Sequence, residues 1–245
     1  MSFTLVASLL LISGCSSVAK KQPNELAAQH PVDTVVRDDV DYVIDIYDPF
    51  EGFNRSVYRF NAGFDRYLYL PVTSAYEAVT PDPVENAIAN FFNNIFEITN
   101  LSNAVLQLKP KPALETTGRI IINTTLGIGG LFDVATKLGI YRHQEDFGQT
   151  LGHYGVGNGA YLVLPVFGPS NLRDATGAIT DSLFFSEVDI LHLDEHSKRK
   201  LAFYLADAIN SRHNISFRYY DTGSPFEYEL IRLLYTKKRM LDIAR

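Results

Sequence analysis

The chain has 245 residues, a formal net charge of −6 and one cysteine. The acidic balance excludes a basic surface for nucleic acid, and the single cysteine excludes an intrachain disulfide. Aromatic residues make up 12%, as 14 Tyr and 16 Phe without Trp, a composition that points toward lipid contact.

The N-terminal stretch carries no Asp, Glu, Lys or Arg before Lys20. Phe3 to Ile12 is an apolar run too short to cross a bilayer as a helix. It fits the apolar region of a secretory leader. Ile12-Ser13-Gly14-Cys15 follows and resembles a lipobox, in which small residues precede the cut and the thiol carries diacylglycerol. Cys15 is therefore expected to be a lipid anchor, with residues 1–14 as signal peptide. No Lys or Arg precedes the apolar run, a departure from the usual leader. Ser16, where Asp would resemble an inner-membrane retention signal, favours the outer membrane. Residues 15–47 read as a lipidated N-terminus and acidic tether: Asp33, Asp38, Asp39, Asp41 and Asp45 gather around Arg37. Such a segment buries too little to fold alone.

The folded part is expected over residues 48–245. Phe53, Val57, Phe60, Phe64 and Tyr67-Leu68 recur at helical spacing, and Pro71 is expected to end that helix. A second helix spans about Pro83 to Leu108. Its opposite face (Asn90, Asn93, Asn94, Glu97, Asn100, Asn103, Gln107) is almost wholly polar and uncharged. A water-facing helix usually carries Lys and Glu, so these amides are expected to be hydrogen-bonded in a packed interior unless they serve another purpose. Leu114–Ile122 reads as helix, and Leu131–Leu138 as another stopped by Gly139. From Phe147 to Leu172 no Asp, Glu, Lys or Arg occurs, but repeated Gly and Pro argue against a spanning helix. The tail is expected to hold helices near Ser197–Ser211 and Pro225–Ile243. The second has Ser224 as N-cap, Pro225 at the first position and Glu227 closing a capping box. No convincing strand is visible, so the expected class is all-α and one domain.

Three patterns resemble catalytic or cofactor motifs. His192-Leu193-Asp194-Glu195-His196 fits H-x-x-E-H, so an envelope zinc hydrolase using His192, Glu195 and His196 is the enzyme alternative, with Glu227 or Glu229 as third ligand. The cations of Ser197-Lys198-Arg199-Lys200 disfavour a metal there. Gly155-Val156-Gly157-Asn158-Gly159-Ala160 fits a dinucleotide loop only if a strand precedes it and a helix follows, and Pro165 interrupts that helix. Asp146-Phe147-Gly148 echoes a kinase magnesium motif without its companions. No active site, metal or cofactor is expected.

Asp48-Pro49-Phe50-Glu51-Gly52-Phe53-Asn54-Arg55 resembles the opening motif of the MlaA/VacJ family of phospholipid-transport lipoproteins. Asn123-Thr124-Thr125-Leu126-Gly127-Ile128-Gly129-Gly130 is similar to a second family motif. Asp146-Phe147-Gly148-Gln149-Thr150-Leu151-Gly152-His153-Tyr154-Gly155 is similar to a third. The ordered match runs from about Asp48 to Asp174 and weakens after Asp181. The resemblance implies in-plane amphipathic helices forming a ring, with an amphipathic channel, in the periplasmic leaflet of the outer membrane; Asn90, Asn94 and Asn103 of the second helix are candidates for its lining, buried amides being the alternative. Its partners would be phospholipids, a trimeric porin, and the periplasmic phospholipid-binding protein of an inner-membrane ABC transport system. No bond would be made or broken. A porin-associated scaffold that moves no lipid is the other alternative.

Overall fold

The computed structural model describes residues 46–193 and 197–245. The Cys15 anchor, the leader and the tether up to residue 45 lie outside the described residues, as do Glu195 and His196.

The architecture is helical. Helix α1 is Glu51–Phe64 and runs through a π turn, Asp65–Tyr69, into α2, Leu70–Val79. Pro71 thus does not end the helix. The Leu70 N–H reaches back five residues to the Asp65 carbonyl. This widened turn directly precedes Pro71, whose ring would collide with an α-helical carbonyl and whose nitrogen cannot donate. Helix α3, Asp82–Leu106, packs along α4, Pro110–Thr125. Only Val134–Lys137 (α5) is helical in the stretch expected as Leu131–Leu138; the preceding residues form turns, with Gly129 and Gly130 at positive φ. Helix α6 is Phe147–His153, with Asp146 as N-cap accepting from the Gln149 N–H.

Two short strands, β1 (Tyr161–Leu164) and β2 (Gly168–Asn171), pair antiparallel, with Tyr161 opposite Asn171. They correct the expectation of no strand. The pairing is too short to leave a periodic signal, and it is completed from outside. Asn54 donates to the Tyr161 carbonyl (3.0 Å) and accepts from the Val163 N–H (2.9 Å). Asn61 donates to the Leu164 carbonyl (2.9 Å) and accepts from the Val166 N–H (2.7 Å). One helix turn pair thus substitutes two amide side chains for a third strand, satisfying an exposed edge.

Helix α7, Leu172–Val188, was not legible from apolar periodicity. Its start is specified by Asn171, which accepts from the Asp174 N–H and donates to the Asp174 carboxylate. Helices α8 (Ser197–His213) and α9 (Glu227–Ala244) close the chain. Ser224 does not cap α9. Phe226 holds the N-cap position, and Glu227 turns inward to accept from Tyr58 Oη (2.6 Å), the Tyr220 N–H (2.6 Å) and Thr222 Oγ1 (2.7 Å).

One apolar core joins Val57, Tyr58, Tyr161, Val163 and Tyr228. A second contact stacks Phe92 and Phe96 of α3 against Phe185 of α7 and Phe203 of α8. Elsewhere polar side chains predominate in the interior, with Ile95, Ala104, Ala135 and Ala160 between them.

Candidate functional site

Among the described residues, buried positions are occupied more often by polar and charged side chains than by apolar ones. Three networks gather many of the polar ones. Glu97 of α3, fully buried, accepts from Arg119 Nε (2.7 Å) and Asn100 (2.8 Å); Arg119 also reaches the Ile140 carbonyl (2.7 Å) and Asp133 (3.2 Å). Asn103, Gln107, Glu145 and Thr150 link α3 to α6. Arg239 of α9 bridges Asp146 (2.7 and 2.8 Å) and Asp174 (2.8 and 3.0 Å). Burial alone would raise both aspartates. The hydrogen bonds and charge of Arg239 outweigh it and hold both below the ordinary carboxylate range.

The exterior is the converse. Phe53 is 62% exposed, Phe60 53%, Tyr67 78% and Phe167, at the hairpin tip, 85%. Leu108, Leu114, Ile121, Leu126 and Ile128 extend this apolar surface over α3, α4 and the loop that follows. So much outward apolar area is far more than scattered surface residues explain. No described helix is long and apolar enough to cross a membrane. The stripe Phe53–Phe60–Tyr67, expected from its spacing to be an apolar helix face, faces outward, and α1 buries Asn54, Val57, Tyr58 and Asn61.

A cavity of about 650 Å³ opens between α1, the π turn and the loop 218–225. Arg55, Tyr58, Arg59, Ala62, Gly63 and Arg66 form one wall, and Arg218, Tyr219, Tyr220 and Asp221 are part of the other. Tyr219 is half-buried, and burial pushes its hydroxyl up to about 12.

The profile of the MlaA lipoprotein family matches residues 46–242. The chain belongs to this family. The intermembrane phospholipid transport system lipoprotein MlaA of Escherichia coli is 40% identical over 141 residues, 56% of each chain. An uncharacterised protein of Rickettsia prowazekii is 42% identical over 136 residues, 56% of this chain and 54% of its own. The chain thus spans just over half the length of these curated relatives. A solved structure from work on the structural basis for maintenance of bacterial outer membrane lipid asymmetry superposes with a TM-score of 0.68 at 32% identity. That superposition covers 81% of this chain and all of the other.

The residues carrying the MlaA resemblance have structural duties that their spacing did not reveal. Asp48 accepts from Asn54 (2.7 Å), Tyr228 Oη (2.5 Å) and Arg232 (3.0 Å), tying the segment before α1 to α9. Pro49, Phe50 and Gly52 form the entry to α1, and Arg55 pairs with Glu51 (2.7 Å) and with Glu229 above the Tyr228 ring. Asn123 donates to Asp133 (3.1 Å) and accepts from the Ala135 N–H (2.9 Å). Gly127 has no room for a Cβ, which would stand 2.2 Å from the Phe132 carbonyl. Gly148 and Gly152 face Asp174 and Ile243 where α6 meets α7 and α9, and Gly155 follows at positive φ.

The amide face of α3 divides. Asn103 is buried, donating to the Thr99 carbonyl (3.0 Å) and Asp181 (2.8 Å) and accepting from Thr150 (2.8 Å), so it holds helices together. Asn90 donates to the Leu131 carbonyl (3.1 Å) and Asn94 to Thr124 Oγ1 (3.1 Å), gripping the 126–131 loop. None of the three lines the cavity at α1. Of the zinc alternative, His192 lies at an exposed turn with positive φ. Glu227 and Glu229 are engaged by Tyr58 and Arg55, leaving neither free for a metal. The glycine run 155–159 precedes a strand and does not follow one, the reverse of a dinucleotide loop.

Proposed function

We propose that this chain is an outer-membrane lipoprotein, anchored through Cys15 in the periplasmic leaflet, that removes mislocalised phospholipids from the outer leaflet. They pass through an amphipathic channel toward a periplasmic phospholipid-binding protein and an inner-membrane ABC transporter, and lipid asymmetry is maintained. A trimeric porin is the neighbour in the membrane. The chain makes and breaks no covalent bond.

The observation that carries this reading is the inverted distribution of polarity. Apolar side chains cover the outside without any described helix of spanning length, while charged and amide side chains pair inside. A body of that kind rests in one leaflet, with its apolar surface against acyl chains. The cavity beside α1 joins that surface to a polar wall, which is what an amphiphile needs to leave one apolar environment for another. The MlaA membership supports the same assignment.

Deletion of the gene tests it. Outer-leaflet phospholipid, measured with a membrane-impermeant amine reagent, should rise, and detergent resistance should fall. An envelope unchanged in both respects contradicts the proposal.

A further inference from the structure

The wall of the cavity is unevenly charged. Arg55, Arg59, Ala62 and Arg66 recur at i, i+4, i+7 and i+11 along α1 and the π turn, and all of them line it. Arg55 is neutralised by Glu51 and Glu229. Arg59, Arg66 and, across the cavity, Arg218 have no carboxylate partner among the described residues. Arg59 donates to Ser56 Oγ (3.2 Å), Arg66 lies over the Tyr67 ring (5.7 Å to the centroid), and Arg218 donates to the Phe217 carbonyl (3.4 Å). Two acids of the wall are committed elsewhere: Asp65 to Arg212 (2.9 Å), and Glu227 to Tyr58 and Thr222. Asp221 is the remaining one. The uncommitted charge is therefore positive.

We propose that Arg59, Arg66 and Arg218 form a binding site for a phosphodiester anion, supplied by a phospholipid headgroup. Guanidinium groups match phosphate oxygens in geometry and charge. The neighbouring stripe of the same helical stretch, Phe60, Tyr67 and Leu68, is exposed and apolar, so a headgroup in the cavity has a surface beside it for acyl chains. A free phosphodiester would use the arginines but not this stripe. The choice of lipid as the source rests on the lipid-conducting reading; the charge of the ligand does not.

Equilibrium binding to the full chain in detergent, with three soluble probes, tests the site. Dihexanoyl-phosphatidylglycerol should bind about tenfold or more tightly than dihexanoylglycerol, which lacks the phosphate, the scale expected of charge-assisted hydrogen bonds. The variant Arg59→Gln/Arg66→Gln/Arg218→Gln should abolish that preference. Lys111→Gln, an exposed charge outside the cavity, should keep it. If circular dichroism shows that the triple variant has lost its helices, Arg218→Gln alone, in the loop, should still reduce the preference. Equal binding of the two lipids by the unaltered chain, or an undiminished preference in the folded variants, overturns the site. Glycerophosphoglycerol binding as tightly as the phospholipid overturns the headgroup as its source. Anion preference in a protein whose deletion leaves outer-leaflet phospholipid unchanged would refute the transport reading and leave the site standing.

Discussion

Gly177 of α7 and Gly148 of α6 approach so closely that a Cβ on Gly177 would stand 2.3 Å from the Gly148 backbone nitrogen. The contact is backbone against backbone, with no flexible side chain to yield. It sets the distance at which Arg239 can reach both Asp146 and Asp174.

Gly177→Ala should therefore destabilise the protein by about 1–3 kcal/mol, the usual range for overpacking. Gly52→Ala, whose Cβ meets nothing within 4 Å, should be neutral or stabilising by about 0.5–1 kcal/mol, since Ala favours a helix. Thermal unfolding of the two variants in detergent checks the contrast.

Arg239→Ala should cost about 1–3 kcal/mol, because Asp146 and Asp174 lose their shared cationic donor while Asp174 keeps Arg173 (2.8 Å). Adding Asp146→Asn should recover part of that loss, because Asp146 has no cationic partner besides Arg239 among the described residues, whereas Asp174 retains Arg173. Denaturation midpoints of the single and double variants measure the coupling.

The same junction sets an acid limit. The Asp146 and Asp174 carboxyls are depressed in the folded state, so their contribution is complete above the ordinary carboxylate value of about 4. It is lost as the pH falls through their lowered values. The melting temperature should drop on acidification below pH about 4, and the Asp174→Asn variant should show a shallower fall.

Asn54→Ala should leave the Val163 N–H and the Tyr161 carbonyl without partners, at a cost of about 1–3 kcal/mol for each group kept from water. Amide exchange at Val163 should accelerate while the phenylalanine contact of α3, α7 and α8 stays protected. Unchanged exchange at Val163 would show that the amide is not what completes the strand edge.

The long helices were legible because their spacing is long and regular: α3 falls within a residue or two of its expected bounds. The direction in which α1 faces was not. Phe53, Phe60 and Tyr67 have the spacing of a core face, and periodicity alone does not say whether lipid or protein covers it. The missing signal was on the next face, where Asn54 and Asn61 lie seven residues apart on either side of the buried Val57 and Tyr58. The Arg55–Arg59–Arg66 stripe was equally visible in the sequence, but its meaning needs the loop bearing Arg218, distant in sequence and close in space. Helix α7 escaped because its apolar residues Leu172, Ile179 and Leu183 are exposed and Arg173 and Asp174 are buried, inverting the pattern by which helices are read. The lipobox at Cys15 stands on sequence alone.

The most direct test of lipid conduction is to fill the cavity without disturbing its walls. Gly63 lines it, and a Cβ there meets nothing within 4 Å. In a strain whose only copy carries Gly63→Trp, at normal abundance in the outer membrane, outer-leaflet phospholipid should rise to the level of the deletion. A level equal to that of the unaltered strain would contradict conduction through this cavity.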